Sequence, residues 1–266
     1  MLSRGDLLYL LDRKGRRFWF VLDEGIIRIE GLGLVDGNRI LNAEPGAEIK
    51  IMDKEFFLMK PGIPELMESI ERTTQIVTGK DAASIIHYLD LKSGDVVIEA
   101  GAGSGCLTMA LLNVVRPHGR VITYEVRSDF AEKARMNVNR AKLASWWELR
   151  IGDIKTAQLE CPADAVVLDI PDPWEAVENI AKMLKGSGRF CAYVPNVNQL
   201  ENTVKKLRAM DFIEIRAFEN LQRSMEVHDG GTRPSFEMLG HTGYLIFARK
   251  VIRQQAHYRK RSEGVA

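Results

Sequence analysis

The chain has few features of a secreted, membrane-bound or disulfide-stapled protein. Its 266 residues include only three cysteines, Cys106, Cys161 and Cys191, which are odd in number and widely spaced. That spacing matches neither a disulfide framework nor a metal-ligand signature, so we expect no metal site and a reducing, cytoplasmic setting. No apolar run approaches the length that crosses a bilayer, and the first residues lack the apolar core of a signal peptide. We therefore expect no membrane partner.

Charge of one sign is not in excess, because 37 Lys and Arg residues stand against 36 Asp and Glu residues. A net charge of +1 alone disfavours a nucleic-acid partner, but the cations are unevenly placed. They cluster in residues 13–17, just before an aromatic triplet, and again between residues 249 and 261. Local basic patches attract phosphates even in a neutral chain, although an ordinary solvated surface accounts for either cluster equally well.

The hydrophobic pattern changes character between residues 60 and 70. Before that point, short strand-like runs alternate with turn residues, which predicts a small β-rich domain over residues 1–62. Afterwards strand-like and helix-like runs alternate, which predicts an α/β domain with a mainly parallel sheet over residues 63–250. A helix is expected from Asp81, which suits an N-cap, and residues 251–266 form a basic tail.

The most informative segment is VVIEAGAGSGCLT, residues 96–108. An apolar strand-like run ends at Glu99, three glycines follow at alternate positions, and a helix-like run comes directly after them. Such a strand, turn and helix bind nucleotides, because glycines let the backbone approach a ligand without a Cβ clash. The loop by itself suits NAD, a flavin or S-adenosylmethionine. Its glycines are Gly101, Gly103 and Gly105.

Three acidic residues downstream each close a strand-like run. Glu125, twenty residues after Gly105, suits the two hydroxyls of a ribose, and Asp153 suits an adenine amino group. Asp169 opens the segment Asp-Ile-Pro-Asp-Pro-Trp. Polar residues at the carboxyl ends of parallel strands line one crevice of a doubly wound sheet. A dinucleotide oxidoreductase needs only the first acid, so the pattern favours the Rossmann-like fold of a class I S-adenosylmethionine-dependent methyltransferase.

Four segments carry a resemblance to a known family. They are Gln75-Ile-Val with Lys80-Asp-Ala, the glycine loop, Leu168-Asp-Ile-Pro-Asp-Pro-Trp, and His241-Thr-Gly-Tyr-Leu preceded by Arg233-Pro. Together they resemble the tRNA (adenine-N1)-methyltransferase family that modifies the T-loop, in its archaeal and bacterial homo-oligomeric form. The likeness runs over nearly the whole chain, including the small β-rich domain. One departure is Thr78-Gly79, where the family has an aromatic residue or histidine followed by proline.

The resemblance implies a cofactor, a substrate and an assembly. The cofactor is S-adenosylmethionine, the substrate is tRNA methylated at nucleotide 58 or at 57 and 58, and the assembly is a homotetramer. Tyr193 matches the family's active-site tyrosine. The implied cofactor-binding set is Gln75, Glu99, Gly101, Ala102, Gly103, Ser104, Gly105, Leu107, Thr108, Glu125, Asp153 and Asp169.

The chemistry predicts a catalytic role for Asp169. Adenine N1 has an in-plane lone pair, so attack on the sulfonium methyl needs alignment more than activation by a base. Methylation spreads positive charge over N1 and the 6-amino group, and a carboxylate that accepts from that amino group stabilises the growing charge. The alternative is that Asp172 only caps a helix beginning at Pro173 while Asp169 only packs.

The substrate must present its Watson–Crick edge, so the enzyme has to accept a flipped or unstacked base. Tyr193 and Trp174 are candidates to stack on that base, a contact worth about 1–3 kcal/mol. Trp174 suits an anchor at a helix start equally well. Arg223, Arg233 and His241 complete the predicted substrate-binding set, with interface packing as the alternative for His241.

Two other classes of function stay open from sequence. A protein-carboxyl methyltransferase of the isoaspartyl type has a comparable glycine loop, but a carboxylate substrate gains nothing from a facing Asp169. A non-catalytic tRNA-binding subunit of a methyltransferase complex is the other, although such a subunit is expected to have lost the loop or the aspartate. An NAD oxidoreductase is the weakest alternative, because no acid or base for hydride transfer stands beside the loop.

Overall fold

The computed structural model describes residues 2–70, 76–158 and 162–253. Its first part is an antiparallel β region, as the sequence predicts. Four strands form one sheet in the order β2-β1-β6-β5, and β3 and β4 form a separate hairpin. The elements are β1 Leu7–Leu11, β2 Arg17–Val21, β3 Ile26–Ile29, β4 Gly33–Asp36, α1 Gly37–Leu41, β5 Glu48–Ile51 and β6 Lys54–Met59.

Alternation along the strands builds the core of this region. In β1 and β6, Leu8, Leu10, Phe56 and Leu58 turn inward and are almost fully buried. Burying every second side chain requires the two-residue period of a strand, which is why one face of this sheet is apolar. The boundary near residue 62 stays a prediction.

Two short helices, α2 Ile63–Glu68 and α3 Gly79–Tyr88, lead into the second part. The prediction that Asp81 caps α3 was wrong. Thr78 occupies the N-cap position, and the side chain of Asp81, in the first turn of α3, is fully buried. Asp81 faces inward because several distant side chains donate hydrogen bonds to it there.

The second part is a seven-stranded sheet with helices on both faces. Its strands run in the order β12-β15-β11-β10-β7-β8-β9, and β15 is antiparallel to both of its neighbours. The elements are β7 Val96–Ala100, α4 Cys106–Val115, β8 Arg120–Glu125, α5 Ser128–Arg140, β9 Trp147–Ile151, β10 Ala163–Leu168, α6 Pro173–Met183, β11 Leu184–Val194, α7 Val197–Ala209, β12 Phe212–Glu219, β13 Met225–His228, β14 Gly231–Pro234 and β15 Tyr244–Lys250.

The central strands are apolar runs because helices cover both of their faces. Val166, Val167 and Leu168 of β10 are completely buried. The last long strands, β12 and β15, pair antiparallel, and β12 forms one edge of the sheet. β15 lies between β12 and β11, and the hairpin of β13 and β14 is inserted ahead of it.

Strand order reverses between β7 and β10. From β7 the chain passes outward through β8 to β9, and it then returns to the other side of β7 to form β10 and β11. In open α/β sheets this switch point leaves a crevice at the carboxyl ends of the strands, where ligands bind. Within the three described ranges, no helix is both long and apolar enough to cross a membrane.

Candidate active site

The crevice lies where β7 and β10 end side by side. Ala100 is paired with Leu168 in the parallel register, so the next residues, Gly101 and Asp169, are neighbours. The amide of Gly101 donates to the carbonyl of Asp169 at 3.2 Å, and the amide of Asp169 donates to the carbonyl of Ala100. The glycine loop and the Asp169 segment are therefore held together by the backbone.

Glycine is required in the loop for space as well as for conformation. A Cβ atom on Gly101 would lie 2.9 Å from Oε2 of Glu125. Gly105 has a φ of 79°, and its Cβ would lie 3.1 Å from the Cα of Ala134 in α5. Because larger residues would push the loop away from α5 and Glu125, these positions keep the crevice open.

Glu125 ends β8 and binds the glycine loop directly. Its Oε2 accepts from the amides of Ala102 at 3.0 Å and Gly103 at 3.3 Å, and its Oε1 accepts from the amide of Arg127 at 3.0 Å. The carboxylate thus lies at the base of the loop, beside the end of β7. This is the position that a ribose-binding acid requires.

Glu99 and Thr108 lie beneath the loop rather than in the crevice. Oε2 of Glu99 accepts from the hydroxyls of Thr108 at 2.7 Å and Thr123 at 2.6 Å, and Oε1 has no hydrogen-bond partner among the described residues. Burial, with repulsion from Asp169 and Glu125, raises the pKa of Glu99 to about 8. Glu99 is therefore largely protonated at neutral pH and supports the loop from behind.

The other predicted loop residues are also buried. Leu107 packs in the core, and the Ser104 hydroxyl has no hydrogen-bond partner within the described part of the chain. Asn137 of α5 donates to the carbonyl of Ser104 at 2.9 Å, which ties the loop to that helix. Gln75 lies outside the described residues.

Asp169 lies at the bottom of the crevice. Desolvation near the crevice, followed by repulsion from Glu125, raises the pKa of Asp169 to about 7. The side chain nevertheless opens onto the crevice and is accessible to solvent. At neutral pH this carboxyl group is close to its titration midpoint, a condition that suits a group which accepts a proton during a reaction.

Tyr193 is the penultimate residue of β11 and lies beside the site. Its ring is 4% exposed, and its hydroxyl donates to Oδ2 of Asp81 at 3.3 Å. A Cβ atom on Gly243 would lie 2.4 Å from Cζ of the ring, so only glycine fits there. Burial, followed by the negative charges of Asp81 and Asp169, raises the pKa of Tyr193. Its catalytic role stays a prediction, because little of the ring faces the opening in this conformation.

A cleft of about 450 Å³ opens next to the start of α4. It is lined by residues from three of the segments that the sequence singled out, among them Val77, Thr78, Cys106, His241 and Thr242. Thr78 stands on this wall where the family has a ring, and its hydroxyl donates to Asp81 at 2.9 Å. Thr78 is shorter than a ring, and most of the cleft around it is lined by apolar side chains such as Met67, Ile76 and Leu239.

His241 is held at the rim of this cleft. Nδ1 lies 3.0 Å from Oε2 of Glu219 and Nε2 lies 2.9 Å from the carbonyl of Pro195, so both nitrogens face acceptors. These hydrogen bonds, with Glu219 as the largest contributor, raise the pKa of His241. Contact of His241 with substrate stays a prediction.

Lys155, which follows β9, forms ion pairs with two acidic residues that follow β10. Asp172 precedes α6, but its side chain makes no capping hydrogen bond and pairs instead with Lys155, which also contacts Glu175 at 2.7 Å. Asp172 therefore occupies the N-cap position of α6, as the alternative expected, but its side chain binds Lys155 instead of capping the helix. Asp153 is exposed, and its Oδ1 accepts from the amide of Lys155 at 2.9 Å. Trp174 is partly exposed in the first turn of α6.

The predicted arginines lie on and beside the hairpin of β13 and β14. Arg223 donates to the carbonyl of Ser235 at 3.0 Å. Arg233 pairs with Glu226 and stacks over the exposed ring of Phe236, 4.1 Å from its centroid. Both arginines lie on this hairpin segment. Among the described contacts, neither arginine touches Asp169 or Tyr193.

The basic cluster at residues 13–17 is largely neutralised. Arg13 pairs with Glu48 and Glu55, and Arg16 and Arg17 have carboxylate partners of their own. The described residues contain no group of three or more His, Cys, Asp or Glu side chains that would hold a metal ion.

The donor set of the crevice fits S-adenosylmethionine. Besides one carboxylate, this cofactor offers a ribose diol, an adenine amino group, an ammonium group and a sulfonium centre, which are donors or positive charges. Carboxyl groups that end or follow three of the parallel strands are the matching acceptors, namely Glu125, Asp153 and Asp169, and Gly101 leaves space beside Glu125. Acceptors are thus placed where a cationic, donor-rich molecule needs them.

The sheet order, the reversed β15, the glycine loop and the acids at strand ends define a class I S-adenosylmethionine-dependent methyltransferase. Residues 56–232 match the family model described as the GCD14 subunit of the tRNA methyltransferase complex, and the chain belongs to this family.

Named relatives span almost the whole chain. It is 35% identical to the tRNA (adenine(57)-N(1)/adenine(58)-N(1))-methyltransferase TrmI of Methanocaldococcus jannaschii, over 90% of this chain and 93% of that protein. It is 33% identical to the tRNA (adenine(58)-N(1))-methyltransferase TrmI of Thermus thermophilus, over 91% of this chain and 96% of that protein.

Solved structures agree on the fold. A structure described as an S-adenosylmethionine-dependent O-methyltransferase from Thermotoga maritima is similar with a TM-score of 0.87 and 34% identity, over 96% of both chains. The tRNA (m1A58) methyltransferase TrmI of Aquifex aeolicus has a TM-score of 0.79 over 95% of this chain and 99% of that one. At 24% identity, this second likeness shows the fold alone.

Proposed function

We propose that this protein transfers the methyl group of S-adenosylmethionine to N1 of adenine 58 in the T-loop of tRNA, with adenine 57 as a second target. One observation carries the proposal: the backbone of Asp169 is hydrogen-bonded to the glycine loop, where β7 and β10 end side by side at the switch point of the sheet. The relatives that bear this activity in their names support the choice of tRNA and of N1.

The residues divide the work between binding and charge stabilisation. S-adenosylmethionine supplies an electrophilic methyl group on its sulfonium. Glu125 accepts from the ribose hydroxyls, and Asp153 accepts from the adenine amino group of the cofactor. Asp169, as a carboxylate, accepts a hydrogen bond from the 6-amino group of the target adenine and stabilises the positive charge that develops as N1 takes the methyl group. Once the N1–methyl bond has formed, the carboxylate can take one of the two amino protons, which leaves neutral 1-methyladenosine. The buried wall formed by Tyr193 limits water around that charge.

A cationic cleft supports a polyanionic substrate. A cleft of about 310 Å³ lies between the β region and the helices. Four basic residues line it, Lys60, Arg116, Arg140 and Lys142, together with the acidic residue Asp6. Residues of α2 line this cleft and also the cleft beside Thr78, so α2 separates the two openings. Since an α-helix is about 10 Å wide, a nucleic-acid strand can lie across both.

The identity of the methylated product tests the proposed function. Wild-type protein, labelled S-adenosylmethionine and unmodified tRNA are expected to yield 1-methyladenosine at nucleotide 58, mapped by nuclease digestion and mass spectrometry. tRNAs with adenine 58 or adenine 57 replaced by guanosine are the matched substrate controls. Cofactor binding without transfer to tRNA, or transfer to a protein carboxyl group or to a hydroxyl group, would contradict the proposal.

We also propose a homotetramer working in the cytoplasm, with the inserted hairpin as part of the interface. Large exposed apolar patches mark association surfaces. Six exposed apolar side chains lie within this short stretch of chain: Leu221, Met225, Val227, Phe236, Met238 and Leu239. The two cysteines within the described ranges, Cys106 and Cys191, are buried thiols, as expected in a reducing compartment.

Light scattering should give about four times the 30.0 kDa of one chain. Val227→Glu with Phe236→Glu is expected to dissociate the assembly at micromolar concentration, because each change would bury a charge in the interface. Ile26→Glu, at an exposed apolar position on β3, is the control and should leave the mass unchanged. A monomeric wild type, or a double variant that remains tetrameric, would contradict this use of the hairpin.

A further inference from the structure

Asp81 is a buried carboxylate that the proposed chemistry does not use. Its side chain is inaccessible to solvent, and five side chains donate to it. The donor distances are 2.9 Å from Thr78, 2.9 and 3.0 Å from Lys80, 3.3 Å from Tyr193, 3.1 Å from Asn220 and 2.7 Å from Thr242.

These donors come from four separate parts of the fold. Two lie at the start of α3, one ends β11, one follows β12, and one lies in the turn before β15. Burial opposes ionisation, but hydrogen bonds from Lys80, Thr242 and Asn220 hold the pKa of Asp81 below its ordinary value. A buried charge with this many donors holds those parts at set distances from one another.

The parts that meet at Asp81 are walls of the active site. Tyr193 is bound at its hydroxyl by Asp81 and packed against Gly243. Thr242 precedes Gly243, accepts from Lys80 at 2.7 Å and lines the cleft next to His241. A shift of the Asp81 carboxylate would therefore move Tyr193 and the 241–243 turn together.

We propose that Asp81 is a positioning residue, which joins Tyr193 to the Thr78–Thr242 wall and thereby places the target adenine against the methyl donor. The inference rests on the proposed function, and it extends that function to a residue that touches neither substrate nor cofactor. It also gives a reason for the Lys-Asp and His-Thr-Gly-Tyr segments to occur in one chain, since both supply groups to one cluster.

The main test is Asp81→Asn, which keeps the shape of the side chain but removes its charge and one acceptor oxygen. We expect kcat on tRNA to fall about 10- to 100-fold, because a misplacement of 1 Å costs about that much. The dissociation constant of S-adenosylmethionine and the KM for tRNA should stay within about threefold of wild type, because Asp81 touches neither molecule. Asp81→Glu should not restore kcat, because the longer side chain displaces the same partners.

A matched control is Asp95→Asn. Asp95 is also a buried carboxylate, but it accepts from the amide of Lys92 at the far end of β7. This variant should keep kcat within about twofold of wild type, since it leaves the active-site walls in place. A comparable fall in kcat for both variants would show a general cost of losing a buried carboxylate and would overturn the proposal.

A second measurement does not depend on activity. In protein labelled with ¹³C at tyrosine Cζ and free of cofactor, Tyr193→Phe identifies the resonance of Tyr193. Asp81→Asn should shift or broaden this resonance, and Asp95→Asn should not. An unchanged resonance, or a loss of cofactor binding and thermal stability in proportion to kcat, would overturn a positioning role. If wild type methylates no tRNA, the proposed function fails, while the Tyr193 resonance still decides the role of Asp81.

Discussion

Asp169→Ala is expected to lower kcat for methyl transfer to tRNA about 10²- to 10⁴-fold, the range that general-base and charge-stabilising groups contribute. The variant loses the carboxyl group that follows β10 but keeps the backbone hydrogen bonds of residue 169 to Ala100 and Gly101, so the glycine loop stays in place. Binding of S-adenosylmethionine should persist, because Glu125 and the loop remain. Single-turnover transfer with labelled cofactor separates the chemical step from binding.

The pH dependence follows from the raised pKa of Asp169. The carboxylate is the active form, and below a pKa of about 7 the group becomes protonated and can no longer accept the amino proton. The value of kcat/KM should therefore rise as the pH passes upward through about 7, instead of being level above pH 5 as for an ordinary aspartate. Asp169→Asn should be nearly inactive and should lose this dependence.

Asp172→Ala is the control for the Asp169 variants, because Asp172 lies in the same loop. Asp172 pairs with Lys155 and its side chain does not cap α6, so its removal affects the loop without removing the acceptor at the bottom of the crevice. A loss of less than about tenfold is expected from an ion pair of this exposure. Full activity of Asp169→Ala, or an equal loss in Asp172→Ala, would contradict the mechanism.

The parts of the site that follow strand ends could be predicted from the sequence. Gly101, Glu125 and Asp169 each come directly at or after a strand-like run, and parallel strands bring such positions to one edge. The same rule does not say which way a side chain points. Glu99, one residue before the end of β7, turns into the core and binds Thr108 and Thr123 instead of facing the crevice.

The Asp81 cluster could not be predicted, because its contacts are distant in the chain. Tyr193, Asn220 and Thr242 lie 112, 139 and 161 residues away from Asp81. From sequence, an aspartate at the start of a helical pattern is read as a cap. The place of β15 inside the sheet was hidden for a similar reason, since an inserted hairpin separates it from β12.

Glu125→Ala is expected to weaken S-adenosylmethionine binding about 10²- to 10⁴-fold. A carboxylate that accepts from both ribose hydroxyls makes two charge-assisted hydrogen bonds, each worth about 1.5–3 kcal/mol, and every 1.4 kcal/mol is about tenfold in affinity. The variant also leaves the amides of Ala102 and Gly103 without their acceptor, which loosens the loop. Titration calorimetry with S-adenosylmethionine and with S-adenosylhomocysteine measures the loss directly.

The comparison with Asp153→Ala tests why Glu125 is the stronger anchor. Glu125 is buried and shielded from water, whereas Asp153 is exposed and its Oδ1 already accepts from Lys155. Water competes for an exposed acceptor, so Asp153→Ala should weaken binding about tenfold or less. Cofactor should also raise the melting temperature of wild type and of Asp153→Ala, but hardly that of Glu125→Ala at the same concentration, because stabilisation by a ligand follows its affinity. If Glu125→Ala binds cofactor as well as wild type, the carboxylate is only a support for the loop, and the ribose must be held by another part of the crevice.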